Sequence, residues 1–272
     1  MEELYQAARH VLLDALEALG QHREAVILVG AQAIYLRVGD ANLAVAPYTS
    51  DGDLVLDPAR LALRPALEQA LGQAGFVLGS DVGIWRTVRT VRGVSTPISV
   101  DLLVPRSVSP AQGRRAARLE GHHPNAALIV EGLEGALVDH DLLELGALRS
   151  DDARRIPLKV AGPGALLLAK LKKLSERRGG PRLKPKDALD VLRLLRGVEA
   201  EVMLERLSRL LAHPDTQQLA AQGCQDLQLL FGEPDAEGCQ WVIQATVGLE
   251  DPDELSASCA FLTQDLLASL KR

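Results

Sequence analysis

Aromatic residues are scarce: three Phe, two Trp and three Tyr make up 3% of the 272-residue chain. A core of the size this length allows must therefore be built from aliphatic side chains, chiefly Leu and Ala. No apolar run is long enough to span a bilayer, because each is broken by a charge, Gly or Pro. Cysteine is equally sparse. Cys224, Cys239 and Cys259 all lie in the C-terminal third, with no CxxC or Cys/His zinc spacing. That excludes a disulfide scaffold and predicts buried thiols in a reducing compartment. Positive charge is not in excess either. The formal net charge of -6 excludes a global attraction to nucleic acid, so such a partner needs a local basic surface. Candidates are Arg114, Arg115 and Arg118, the pair Arg154 and Arg155, and the run 170–186, although basic clusters are also common on solvated faces. The opening segment has early acids and helical periodicity (Leu4, Ala8, Val11, Leu12, Ala15, Leu16, Leu19). It predicts an amphipathic helix over 4–19, not a signal peptide, and the expected location is the cytoplasm.

What is present falls into three zones. Up to about residue 105, strand-like segments at 26–30, 53–56, 84–91 and 98–104 alternate with helical ones at 31–38 and about 61–74. This is the texture of an α/β domain. A middle zone, 106–160, is irregular, with strand-like ALIV and IPLKV around a short helical piece. From Pro163 the periodicity is almost purely helical: GALLLAKLKKLSERR, KDALDVLRLLRG, EVMLERLSRLLA and two later segments. GGPRLKP at 179–185 is a loop by its Gly and Pro content.

The strongest chemical signal is acidic. Thr49-Ser50-Asp51-Gly52-Asp53-Leu54 is followed some fifty residues later by Ser99-Val100-Asp101-Leu102-Leu103. In extended backbone Asp51 and Asp53 point the same way, and two carboxylates aimed together repel unless a cation lies between them. Asp101 stands in an apolar run, where a carboxylate is expensive without a partner. Hard oxygen ligands that leave positions open for water and phosphate suit Mg2+, and a pair of such ions can activate a hydroxyl and neutralise a leaving pyrophosphate. Read alone, DGD is a common turn sequence and Asp101 an edge or capping residue. Upstream, Val26-Ile27-Leu28-Val29-Gly30-Ala31-Gln32-Ala33 predicts a strand, a tight Gly turn and a helix whose first N–H groups are free to cradle phosphate.

In the downstream helices Leu167, Leu171 and Leu174 form one stripe, with Lys170 on or beside it. A lysine there either snorkels outward or points into a site. Asp187 opens the next amphipathic helix after Lys186, where it complements the helix dipole or orients Lys170 or Lys186. Arg86, Arg89 and Arg92, every third residue of a strand, do not share one face. His122-His123 reads as a loop pair, His140 beside Asp139 and Asp141 resembles a metal cluster only superficially, and Trp85 and Trp241 read as packing residues.

The order strand-VGAQA-helix, TSDGDL and SVDLL resembles the nucleotidyltransferase superfamily founded on DNA polymerase beta. KVAGPGALLLAKLKKLSERR and KPKDALDVLRLL look like the downstream signature of its AbiEii branch, which includes the mycobacterial MenT toxins. The resemblance covers about 26–196. It implies a nucleotidyltransferase-type mixed β-sheet with flanking helices over 1–160, and a helical C-terminal region over 161–272 that completes the active site. It also implies two Mg2+ ions on Asp51, Asp53 and Asp101, with Asp101 deprotonating the acceptor hydroxyl. Gly30 matches the phosphate-turn glycine. Ala31 stands where the family usually has Gly or Ser, so triphosphate contact is expected from backbone N–H groups at Gly30 and Ala31, helped by Thr49 or Ser50, with Lys170 and Lys186 as further contacts and Asp187 beside them. The implied reaction is transfer of a nucleoside monophosphate from an NTP with release of pyrophosphate. The acceptor expected first is the tRNA 3' end, gripped by Arg114, Arg115, Arg118 and the 170–186 run, in a toxin with a cognate antitoxin protein. Transfer to a protein hydroxyl (AMPylation-like) and a catalytically inactive nucleotide-binding module are the alternatives.

Overall fold

The structure, a computed structural model, describes residues 2–39, 41, 43–109 and 115–271. It divides into two compact units, one of Met1–Ala33 with Tyr48–Ala161 and another of Ile34–Pro47 with Gly162–Arg272. Among the described residues, no helix is long and apolar enough to cross a membrane.

The first unit is built on a mixed sheet. Its elements are α1 (Glu2–Ala18), β1 (Val26–Val29), the start of α2 (Gly30–Val38), β2 (Asp51–Leu56), α3 (Leu67–Gln73), β3 (Val77–Leu78), β4 (Ile84–Val91), β5 (Val94–Pro105), β6 (Leu128–Val130), α4 (Gly135–Val138), β7 (His140–Gly146) and β8 (Arg155–Ala161). The strand order is β3-β4-β5-β2-β1-β8-β7, with β6 beside the end of β5. β2 runs parallel to β5 and β1 parallel to β8, whereas β1 with β2, β4 with β5 and β7 with β8 are antiparallel. β1 is buried at all four positions, which is why it reads as a continuous apolar run. α1 packs its Leu12 stripe onto β2, and Gly52 is the residue that lets it approach. A Cβ at Gly52 would lie 3.0 Å from the Leu12 side chain.

Three elements of this unit differ from the sequence reading, the first being the two-residue β3, for which no strand was expected. The helix expected over about 61–74 begins only at Leu67, because Pro65 disfavours helical backbone at Arg64, so 61–66 stay irregular. β7 was not anticipated; HDLLELG lacks a clean alternation and its pairing with β8 decides its conformation. Trp85 is buried and donates to the Ala126 carbonyl at 2.9 Å, whereas Trp241, in the second unit, is only half-buried.

The second unit is helical: α5 (Pro163–Arg177), α6 (Pro185–Gly197), α7 (Ala200–Ala212), α8 (Gln217–Phe231), α9 (Glu237–Ala245) and α10 (Pro252–Leu270), so three helices follow α7 where two were expected. Leu167, Leu171, Leu174, Val191, Leu192, Leu207 and Leu230 are buried in it. Gly223 permits the close approach of α8 to α5, since a Cβ there would fall 2.3 Å from Leu168 Cδ2. Cys239 and Cys259 are buried, and Cys224 is half-buried.

A histidine pair, His22 buried and His122 half-buried, braces the first unit. His22 Nε2 donates to the Pro65 carbonyl at 2.9 Å, His122 Nδ1 accepts the Leu67 N–H at 3.1 Å, and the rings meet edge-on at 5.6 Å. Burial lowers the pKa of both below 6.5, and His22 lowers that of His122 further. Both stay neutral in the folded chain where the unfolded chain already binds protons. The stability they confer is therefore present above pH 6.5 and lost as pH falls below it. Urea unfolding is expected to show a lower midpoint at about pH 5 than at about pH 7.5, with a shallower fall in His122→Asn.

Candidate active site

The register of β2 and β5 decides the geometry. Asp53 is paired directly with Asp101 and Asp51 with Ser99, so both aspartates of β2 share a sheet face with Asp101. Gly52, between them, faces α1 on the other side. Asp51, Asp53, Ser99 and Asp101 are each partly exposed on this face. Asp101 nevertheless has its Oδ1 buried without a hydrogen-bond partner. Burial, then the charge of Asp53, then that of Asp51 push its carboxyl up to about 7, against smaller opposing effects of the Ser99 hydroxyl and Arg86. Arg86 is opposite Ser99 on β4 and so lies on the aspartate face, held by Asp81 at 2.6 Å. Arg89 turns to the α1 side and pairs with Asp14 at 2.7 Å, so Arg86 and Arg89 diverge as expected, while Arg92 stands in the turn after β4 and pairs with Glu3 at 3.3 Å.

Each aspartate of β2 has its own support. Gly30 has φ of +69°, and a Cβ there would lie 2.0 Å from Asp53 Oδ2. Glycine is thus required twice, for the left-handed turn and for the carboxylate that lies against it. The same turn opens α2, whose first N–H groups and dipole favour a negative group. Thr49, buried, donates its hydroxyl to Asp51 Oδ1 at 2.5 Å. Gln32 donates to the Asp51 carbonyl at 3.0 Å while its Oε1 accepts from Arg9 Nε at 2.7 Å. Arg9 also donates to the Gly146 carbonyl and the Tyr5 hydroxyl, both at 3.0 Å. This buried relay from α1 and β7 to the first aspartate escaped the sequence reading. Its one visible signal was an arginine set among the apolar positions of α1. Ala31 is buried in the first turn of α2, and Ser50 is exposed just before β2.

Among the described residues, no group of three or more His, Cys, Asp or Glu side chains is clustered tightly enough to hold a metal ion by itself. The donor set nonetheless fits Mg2+, which is commonly bound through one or two carboxylates together with water and substrate phosphates. The buried, unpartnered Oδ1 of Asp101 beside two further carboxylates is the feature that such a cation would satisfy.

In the second unit Lys170 is buried with its ammonium 2.7 Å from Asp187 Oδ1 and 2.6 Å from Asp190 Oδ2. Burial alone would lower its pKa, but Asp190 and Asp187 outweigh that and raise it well above the usual lysine range. Asp187, which burial alone would push up, is held well below the carboxylate range by Lys170 and by Lys173 at 2.9 Å. Asp190 accepts from the Tyr35 hydroxyl at 3.3 Å, and Arg193 stacks over the Tyr35 ring and donates to the Val45 carbonyl. Asp187 thus orients Lys170, while Lys186 is half-buried in the first turn of α6.

The basic clusters are partly neutralised. Arg154 is engaged by Asp152, Asp14 and Glu17, and Arg155 by Glu144. In the 170–186 run Lys172 pairs with Glu176 and Arg178 with Glu237, leaving Arg182 and Lys184 exposed on the surface. Arg115 and Arg118 are exposed; Arg114 lies outside the described residues. His123 accepts the Asn125 N–H, and His140 Nδ1 is bound to the Ala136 carbonyl.

No family model and no curated protein matches the chain. Among solved structures it is similar to an antigenic nucleotidyltransferase-like protein from Paracoccidioides brasiliensis. Identity is 17%, coverage is 81% of this chain and 93% of that one, and the TM-score is 0.41.

Two outcomes follow from the charges. Asp101 has a folded pKa of about 7 against an ordinary 3.8, so its ionisation opposes folding above pH 3.8 and does so in full above pH 7. In solutions free of divalent cations Asp101→Asn is expected to raise the thermal midpoint at about pH 8, with the difference closing below about pH 4. Lys170→Ala removes the closest cation of two buried carboxylates, leaving Asp190 only Arg193 at 3.8 Å and Asp187 chiefly Lys173 at 2.9 Å. It is expected to destabilise the helical unit by about 3–5 kcal/mol in urea titrations, as for other broken buried ion pairs.

Proposed function

We propose that the protein is a magnesium-dependent nucleotidyltransferase. It transfers a nucleoside monophosphate from an NTP to an RNA hydroxyl, foremost the tRNA 3' end, in the cytoplasm, as a toxin restrained by a cognate antitoxin. The observation that supports the chemistry best is the in-register pair Asp53 and Asp101, with Asp51 on the same open sheet face, at the start of α2. Asp51, Asp53 and Asp101 would hold the Mg2+, which when bound supplies charge neutralisation for the phosphoryl group and its leaving pyrophosphate.

The remaining chemistry belongs to the chain. Asp101, held in register with Asp53, takes the proton from the acceptor hydroxyl. Thr49 and Gln32 fix Asp51, and the Gly30 turn fixes Asp53, so little reorganisation of these carboxylates is needed during reaction. Backbone N–H groups at Gly30 and Ala31 and the exposed Ser50 hydroxyl receive phosphate oxygens. Arg115 and Arg118, and on the second unit Arg182 and Lys184, are exposed and suited to RNA phosphates. Because many of the other basic residues are tied to acids, a protein hydroxyl is the second reading for the acceptor.

The test is incubation with each labelled NTP, Mg2+, total RNA and a cell protein extract, followed by separation of the products. Label on RNA is expected, reduced to background by Asp53→Ala while circular dichroism stays unchanged. Label on protein transfers the reading to the second acceptor, and activity retained by the folded Asp53→Ala protein removes the mechanism.

A further inference from the structure

The two ends of the sheet are built differently. At one end β3 is only two residues long, a short edge that offers little to a further strand. At the other, β7 runs for seven residues without Pro, Lys or a bulge, and carries Leu142 with 72% of its surface exposed. Among the described residues, no strand pairs with its outer side.

Ala147, just past the strand, donates its N–H to the Arg154 carbonyl at 3.0 Å, which makes residues 147 and 154 a hydrogen-bonded pair. In an antiparallel ladder such pairs alternate, so Leu145, Leu143 and Asp141 direct their backbone groups at β8. His140, Leu142, Glu144 and Gly146 direct theirs outward. Gly146 agrees with this, for its carbonyl is taken by Arg9 and not by β8. The backbone groups of His140, Leu142 and Glu144 are left facing the open edge.

We infer that β7 is a self-association edge, pairing antiparallel with β7 of a second copy about a two-fold axis through Leu142. The occupant follows from self-complementarity. With Leu142 on the axis, the outward residues fall opposite one another as hydrogen-bonded pairs: Leu142 with the same residue of the second copy, and His140 with Glu144 twice. The two exposed leucines then cover each other, and an imidazole meets a carboxylate on either side. Placing the axis at Glu144 instead would set two carboxylates face to face. The Leu142 register is therefore the one in which both apolar area and charge match. It joins the two sheets into one continuous sheet and leaves the aspartate face of each copy on its own β2 and β5, three and four positions away in the strand order.

Sedimentation equilibrium over a broad concentration series of the full chain tests this. A monomer–dimer equilibrium is expected, weakened about tenfold or more by Leu142→Lys, a change at an exposed position that a folded monomer accommodates. A nitroxide on Leu142→Cys should show strong dipolar broadening in the dimer, because the axis brings the two labels together. A chain that stays monomeric throughout the series overturns the inference. So does a dimer unaffected by Leu142→Lys, or one in which the labels show no broadening.

Discussion

Everything at the candidate site depends on carboxylates of like sign being held side by side by the hydrogen-bond ladder of a sheet. Asp53 and Asp101 are direct cross-strand neighbours, and the neighbouring β1 adds Val29 on the other side of Asp53. Left to themselves, opposed acids favour separation or protonation. The backbone register does not permit separation, and burial first, then the charges of Asp53 and Asp51, push the Asp101 carboxyl up to about 7. A surrounding structure must over-determine such an arrangement, and it does. α1 presses on Gly52 from the opposite face, Thr49 and the Arg9–Gln32 relay anchor the start of β2, and only glycine at 30 leaves room for Asp53. Buried polar groups otherwise tend to be neutralised or satisfied; one left unsatisfied beside like charges is what a cation or a substrate proton would complete.

The helical unit handles its charges in the opposite way. There Lys170, Asp187, Asp190 and Arg193 are buried together with compensating partners at close range. Two carboxylates outweigh the burial of one ammonium and keep it charged. Such a cluster contributes little net stability over an apolar one but is severe when broken, so it acts as a specific lock between α5 and α6. The acids of the helical unit close around an ammonium, whereas on the sheet Asp101 keeps a buried Oδ1 without a hydrogen-bond partner. This contrast is the physical basis for the proposal that the chemistry lies on the sheet.

The alternating character of strands and the stripes of helices were legible from the residues: α1, β1, β2, β4, β5, α5, α6 and α7 all stand close to where periodicity puts them. So was the common facing of Asp51 and Asp53, because a period of two is a local property of extended chain. The pattern also separated Arg86 from Arg89. Local pattern failed where partners decide the conformation, as in β7, whose residues alternate poorly and become a strand by pairing with β8, and in the span before α3, where Pro65 delays the helix.

By itself, the sequence determined which residues could be strand, helix and turn, and that three acids had no obvious partners nearby in the chain. Only the tertiary structure decided that Asp101, nearly fifty residues from Asp53, would be its immediate neighbour, because strand order and register are set by the packing of whole elements and leave no mark in local periodicity. The same holds for Lys170: the sequence offered Asp187 to either Lys170 or Lys186, and only the fold shows that Asp187 and Asp190 both close around Lys170. Charge is written in the chain residue by residue, but whether it is compensated depends on distances that exist only after folding.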